Sequence, residues 1–275
     1  MVVAKHLAVF LLWNITAGAV LLSGNPALGL PMAIALYLLL LKGYLLKPAA
    51  DGGTDREEAL RLRPLTGEAL KWTLIAVPVV LLLSSVVGDV YTRFVTIPAN
   101  NLNPFEPVME TASGRLAIAL FAIGVAPVVE EFVFRGLIQR HLERKRGIAH
   151  GIVVAGALFA AIHLLPYIFP LHFFLGVAFG FAVYATGSIW TGVILHAANN
   201  ATAMIGSAFA PTEDIAIPTV WEEGVSMELV SSLLMLPLAL ALAIWTGRQL
   251  LKAGREARML DTTSPLQPDT SHPGS

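Results

Sequence analysis

Eight stretches of this chain, residues 7–23, 28–46, 70–87, 116–138, 148–165, 171–185, 189–205 and 229–245, are apolar almost without interruption. A helix needs about 20 mostly apolar residues to cross the hydrocarbon core of a bilayer. Inside that core only a helix or a closed barrel satisfies its own backbone polar groups. The stretches therefore predict an all-α, polytopic membrane protein with about eight transmembrane helices. The balance of residue types agrees, since 13% of the 275 residues are charged, against roughly 25% in a soluble domain.

The spans divide the chain into three expected parts. Residues 1–69 hold two transmembrane helices and a loop, 70–247 form a six-helix region, and 248–275 form a tail. The end of that tail is rich in Pro, Ser and Thr and is expected to be disordered. The first stretch follows a lysine, as a secretory signal would. The second stretch begins only a few residues later, so the first is expected to be retained as a membrane helix. With eight spans and both termini on one side, fifteen of the eighteen Lys and Arg residues fall on that side. Arg93 and Arg115 fall on the other, and Arg135 lies within a span. Cationic residues collect in cytoplasmic loops, so both termini are placed in the cytoplasm, with the plasma membrane as the host bilayer.

Other classes drop out. A net charge of −1 offers no basic surface for nucleic acid. The absence of cysteine removes disulfides, thiolate metal ligands and a cysteine nucleophile together. Between residues 166 and 170 the chain reads Pro-Tyr-Ile-Phe-Pro, too apolar for an aqueous loop. Helix five is therefore expected to end at membrane depth, where irregular backbone survives only against protein or a wet cavity. The connection Thr186-Gly187-Ser188 is so short that its two helices must be antiparallel neighbours.

Within the fourth span stand Glu130, Glu131 and Arg135. A charge at the centre of a membrane helix costs about 2.5–3.5 kcal/mol on insertion scales, and such residues are functional candidates by default. Glu131 and Arg135 are four apart with the acid first, the better order for an ion pair on one helix face. Glu130 points about 100° away and is left free for chemistry. Pro127 cannot donate to the Ile123 carbonyl and is expected to kink the helix. Phe159-x-x-x-His163 follows on the fifth span and His196-x-x-x-Asn200 on the seventh. At 1.5 Å per residue these polar groups lie roughly 13–20 Å into the membrane, in one depth band. His196 and Asn200 share a face, and both can donate to a developing oxyanion. Phe159 shares a face with His163 and can pack on its ring. Each residue also has a plain structural reading. Arg135 can mark an interfacial helix end with Glu131 as its partner, and His163 and Asn200 can be interhelical hydrogen-bonding groups. Asn14 is read as packing, Lys42 as snorkelling, and the remaining histidines, His172 among them, as incidental to helix ends.

The sequence E-E-x-x-x-R, F-x-x-x-H and H-x-x-x-N on successive membrane helices resembles the CPBP family. That family includes the CAAX prenyl endopeptidases of the Ras-converting type and bacteriocin-processing or immunity proteins. The resemblance covers residues 115–205, includes G-S-I-W-T-G-V-I-L-H-A-A-N-N, and loses no motif position. It implies an intramembrane endopeptidase acting on a membrane-associated protein or peptide, with a site opening toward the cytoplasm. It also implies that Glu130 and His163 activate a water and that His196 and Asn200 hold the oxyanion. Glu131, Arg135 and Phe159 would support them. A metal-independent glutamic-type protease is favoured, because there is no His-Glu-x-x-His and His196 is paired with an amide. Zinc stays chemically open, and Glu130, His163 and His196 are the ligands it would take. Two other readings stand beside the protease: a transporter relaying protons through buried Glu, Arg and His, and a non-catalytic scaffold or immunity protein on the same fold.

Overall fold

The computed structural model describes residues 2–21, 26–40, 42, 60–97, 109–209 and 218–263. No strand occurs among the described residues, and each apolar stretch overlaps one helix; residues 22, 23, 41 and 43–46 of the first two stretches lie outside the described residues. These are α1 (Val2–Leu21), α2 (Pro26–Leu40), α3 (Gly67–Thr92), α4 (Ala112–Arg146), α5 (Ile148–Ala161), α6 (Phe169–Thr186), α7 (Ile189–Phe209) and α8 (Met227–Thr263). The fold is all-α and the protein is an integral membrane protein. The expected count of eight crossings is supported only in part. Among the described residues, five helical stretches are long and apolar enough to cross a bilayer: Val2–Val20, Gly67–Thr92, Ala112–Arg146, Pro166–Thr186 and Met227–Met259. Gly29–Leu40 and Ile148–Ala161 are apolar but shorter, and α7, which carries His196, Asn199 and Asn200, is not among the five.

Two expected boundaries move. α5 stops at Ala161 rather than near residue 165. The next residues close in tight turns, and Leu164 takes a left-handed conformation with φ 56° ahead of Pro166. The helix thus ends inside the apolar stretch, as the Pro-Tyr-Ile-Phe-Pro segment predicts. The irregular backbone is satisfied locally by a short 3-10 turn over Pro166–Ile168, and from α3 by Tyr91, whose hydroxyl donates to the Tyr167 carbonyl at 2.6 Å. At the other end α8 runs on to Thr263, so residues 248–263 of the expected tail are helical. Leu250 and Ala253 there are buried, and Leu250 packs with Ala76 of α3 and Ala185 of α6. That buried face outweighs the polar composition of the segment. Residues 264–275 lie outside the described residues.

α3 and α8 lie along each other, with Trp72 and Trp245 edge to face at 5.1 Å. α6 and α7 are joined by Gly187 and Ser188 and pack as neighbours, as the short connection requires. α1 and α2 pack on α4 through Phe10 against Phe134 and Tyr37 against Phe121. Leucines and isoleucines such as Leu12, Ile15, Leu39, Leu74 and Leu234 remain exposed, the surface a helix bundle presents to lipid rather than water.

α5 and α6 cross with almost no side chain between them. A Cβ built on Gly176 would sit 2.9 Å from the Gly156 Cα, closer than packed carbons approach. Small residues at such crossings let membrane helices approach by backbone. Gly176→Val is expected to destabilise the protein by about 1–3 kcal/mol, read as a lowered melting temperature in detergent, while a variant at exposed Leu234 leaves it unchanged.

Candidate active site

The site begins with a change of helical register. α4 is one continuous helix, but Leu120–Val125 and Phe132–Gln139 within it are wound as π-helix. In that register an N–H bonds the carbonyl five residues back, as Ala126 does to Phe121. The next N–H would serve the Ala122 carbonyl, but residue 127 is proline and has none. Asn200 of α7 supplies the missing donor, its Nδ2 lying 2.8 Å from the Ala122 oxygen. The backbone loss expected at Ile123 is therefore shifted by one residue, and another helix answers it. One amide hydrogen of Asn200 is thereby committed, and the second is left for another acceptor.

One turn further on, Glu131 and Arg135 are both wholly buried, with Arg135 Nε 3.2 Å from Glu131 Oε2. The guanidinium makes no aligned hydrogen bond among the described residues. It is held by the carboxylate's charge and by the face of Phe159, 5.1 Å from its Cζ. The other Glu131 oxygen lies 3.2 Å from Nδ1 of His196. This carboxylate orients the imidazole and turns Nε2 toward Glu130, whose Oε2 is 3.8 Å away. Phe179 stacks on the His196 ring at 5.2 Å, and Phe159 meets it edge-on at 5.4 Å. α7 approaches Glu131 closely only because residue 192 is glycine: a Cβ there would lie 2.3 Å from Glu131 Oε2.

Glu130 has a different environment. Its side chain is 12% exposed, and its Oε2 has no hydrogen-bond partner among the described residues. It lines a cavity of about 420 Å³ together with His163, Asn200, Asn14 and the apolar side chains of Phe121 and Ile162. His163 sits just past the end of α5, where Nδ1 donates to the Phe159 carbonyl at 2.8 Å. Its Nε2 is then the ring's lone-pair acceptor. The His163 and Phe159 rings are 4.9 Å apart.

All seven residues singled out from the sequence thus meet: Glu130, Glu131 and Arg135 from α4, Phe159 and His163 from α5, His196 and Asn200 from α7. Others were missed. His172, read as incidental, lies with its ring 4.1 Å from His163, because the break before α6 folds the two back together. Asn14, read as packing, borders the cavity and accepts from the Tyr37 hydroxyl. No spacing within α1 could reveal that it walls a cavity built on α4, α5 and α7. Gly192 carried a signal, lying one helical turn before His196 on the same face. No group of three His, Asp or Glu side chains among the described residues is arranged to hold a metal. Glu130, His163 and His196 do not converge as a ligand set in this arrangement.

The buried pair predicts an asymmetry. Glu131→Gln or Arg135→Met alone leaves an uncompensated buried charge and is expected to cost about 3–5 kcal/mol. The double variant is expected to lose far less than the sum, and a double-mutant cycle of unfolding midpoints in mixed micelles measures the difference.

Residues 112–202 match the family model described as Rce1-like, Type II CAAX prenyl endopeptidase Rce1-like. No curated protein and no solved structure matches the chain. The matched segment runs from the start of α4 into α7 and contains Glu130, Glu131, Arg135, Phe159, His163, His196 and Asn200. Over that segment, about a third of its length, the chain is similar to the Rce1-like Type II CAAX prenyl endopeptidases.

Proposed function

We propose that the protein is a metal-independent endopeptidase that cuts a peptide bond of a membrane-associated protein, with Glu130 as the general base. One observation carries this reading. Glu130, a carboxylate with one oxygen lacking a hydrogen-bond partner among the described residues, lines a largely apolar cavity that His163 and Asn200 also line. A water held between Glu130 and His163 Nε2 gives its proton to the carboxylate as its oxygen attacks the scissile carbonyl carbon. The negative charge that develops on the carbonyl oxygen is met by the uncommitted amide hydrogen of Asn200, and by His196 when both ring nitrogens carry a proton, Nδ1–H donating to Glu131 and Nε2–H to the oxyanion. Glu130 then returns the proton to the leaving amine as the carbon–nitrogen bond breaks. Glu131 and Arg135 set the orientation of His196, and Phe159 packs both histidines.

The apolar lining suits a substrate carrying a lipid or a hydrophobic segment, and a processed C-terminus of the CAAX kind is the class that the family description suggests. The charge distribution of the loops favours a site opening toward the cytoplasm of a plasma membrane protein.

Purified protein in liposomes is expected to cleave a quenched library of lipidated peptides in the presence of chelator, and Glu130→Ala to lose that cleavage. Activity lost to chelator and restored by zinc would overturn the metal-independent reading. Full cleavage by Glu130→Ala would remove the general base, and an intact cellular phenotype in Glu130→Ala and His163→Ala would favour a scaffold. Asn200→Ala is expected to lower kcat by about 10²–10³ with little change in KM. Pro127→Ala restores an N–H that competes with Asn200 for the Ala122 carbonyl, and a smaller fall in kcat is expected in the same assay.

A further inference from the structure

A second cavity, of about 720 Å³, opens beside the C-terminal end of α4 and shares no lining residue with the first. Four guanidinium groups border it: Arg61 and Arg63 from the segment before α3, Arg140 from α4 and Arg258 from α8. None of the described residues that line it is acidic. Its wall is built rather than incidental. The segment 61–63 is pinned to the α6–α7 turn by three bonds: Ile189 N–H to the Arg61 carbonyl at 2.9 Å, Trp190 Nε1 to the Leu62 carbonyl at 3.2 Å, and Ser188 Oγ to the Arg63 carbonyl at 2.7 Å. Arg61 itself is held at φ 58°, a conformation that a non-glycine residue adopts at a cost and that clusters at functional sites.

The strained residue is also the buried one. Arg61 is only 6% exposed. Its Nη2 pairs with Glu143 from beneath, while its Nη1 is buried without a hydrogen-bond partner, as is Nε of Arg140. Buried donors left unmatched are costly, and guanidinium forks match phosphate oxygens. Thr66 and Ala69, at the N-terminus of α3, border the same space and add the positive end of a helix dipole. The cavity lies where α3 begins, α4 ends and α6 turns into α7, the level at which lipid headgroups meet a bundle. Basic pockets between membrane helices at that level suit phosphate-bearing headgroups.

We propose that this cavity binds a phosphate group, carried either by an anionic phospholipid headgroup or by free phosphate. Two arms of one experiment separate the sources. The full-length protein is reconstituted in vesicles of phosphatidylcholine and phosphatidylglycerol, extracted, and its retained lipid identified by native mass spectrometry. In parallel its melting temperature in neutral detergent is followed with added inorganic phosphate. Retention of phosphatidylglycerol over phosphatidylcholine is expected, and Arg258→Gln, an exposed position that leaves the fold intact, is expected to lower it about fivefold. Arg140→Gln is expected to lower it further. A melting shift with inorganic phosphate that Arg258→Gln abolishes, with no lipid retained, would assign the free anion. The proposal is overturned if neither probe binds, or if binding is the same in wild type and in Arg258→Gln. Neither readout depends on peptide cleavage.

Discussion

The buried Glu131 carboxylate is the hinge on which the centre of the molecule turns. It faces Arg135 on its own helix and His196 on α7, so one negative group satisfies a cation and orients a ring inside a low-dielectric interior. Remove it and Arg135 loses its ion-pair partner and keeps the face of Phe159. The packing around it follows the charge. Phe159 meets both the arginine and the imidazole, Phe179 stacks on the imidazole and Phe134 packs behind Phe159, and Gly192 clears the space through which α7 comes within reach. A desolvated ion pair is a poor source of net stability. Its retention at the middle of a membrane bundle makes sense as a device that fixes geometry.

The second device is a deliberate fault in the backbone. A π segment followed by proline leaves the Ala122 carbonyl without a helical donor, and Asn200 takes that place. The same amide is thereby fixed beside the cavity that Glu130 and His163 face. A residue at a helix defect thus does two things: it repairs the ladder and it is held in a defined rotamer. This is how a flexible side chain becomes a preorganised donor without a dedicated supporting shell.

α1 and α2 have no part in the matched segment, yet α1 closes one side of the cavity and α2 braces it. The Tyr37 hydroxyl donates to Asn14, and Asn14 in turn donates to the Phe10 carbonyl at 3.2 Å. The Tyr37 hydroxyl and the Asn14 amide are thereby satisfied within these two helices, and Leu11 and Asn14 remain at the cavity wall. The size of the space above Glu130 is set partly by helices that carry none of the motif residues.

The sequence by itself determined the helical class, the approximate helix positions and the residues of the cluster. Those depend on local physics. Apolar runs of bilayer length must be helical, four-residue spacing must place Glu131 beside Arg135, and charged residues in such runs must converge to escape lipid. Only the tertiary structure decided the rest. The π register moved the backbone loss from Ile123 to Ala122, because register within a helix answers to packing as well as to residue type. The break after α5 brought His172 onto His163, and α8 continued to Thr263 because α3 and α6 offered it a surface. Arg61, Arg140 and Arg258 became one cavity for the same reason. Contacts between segments far apart in the chain carry no periodicity that a sequence can display.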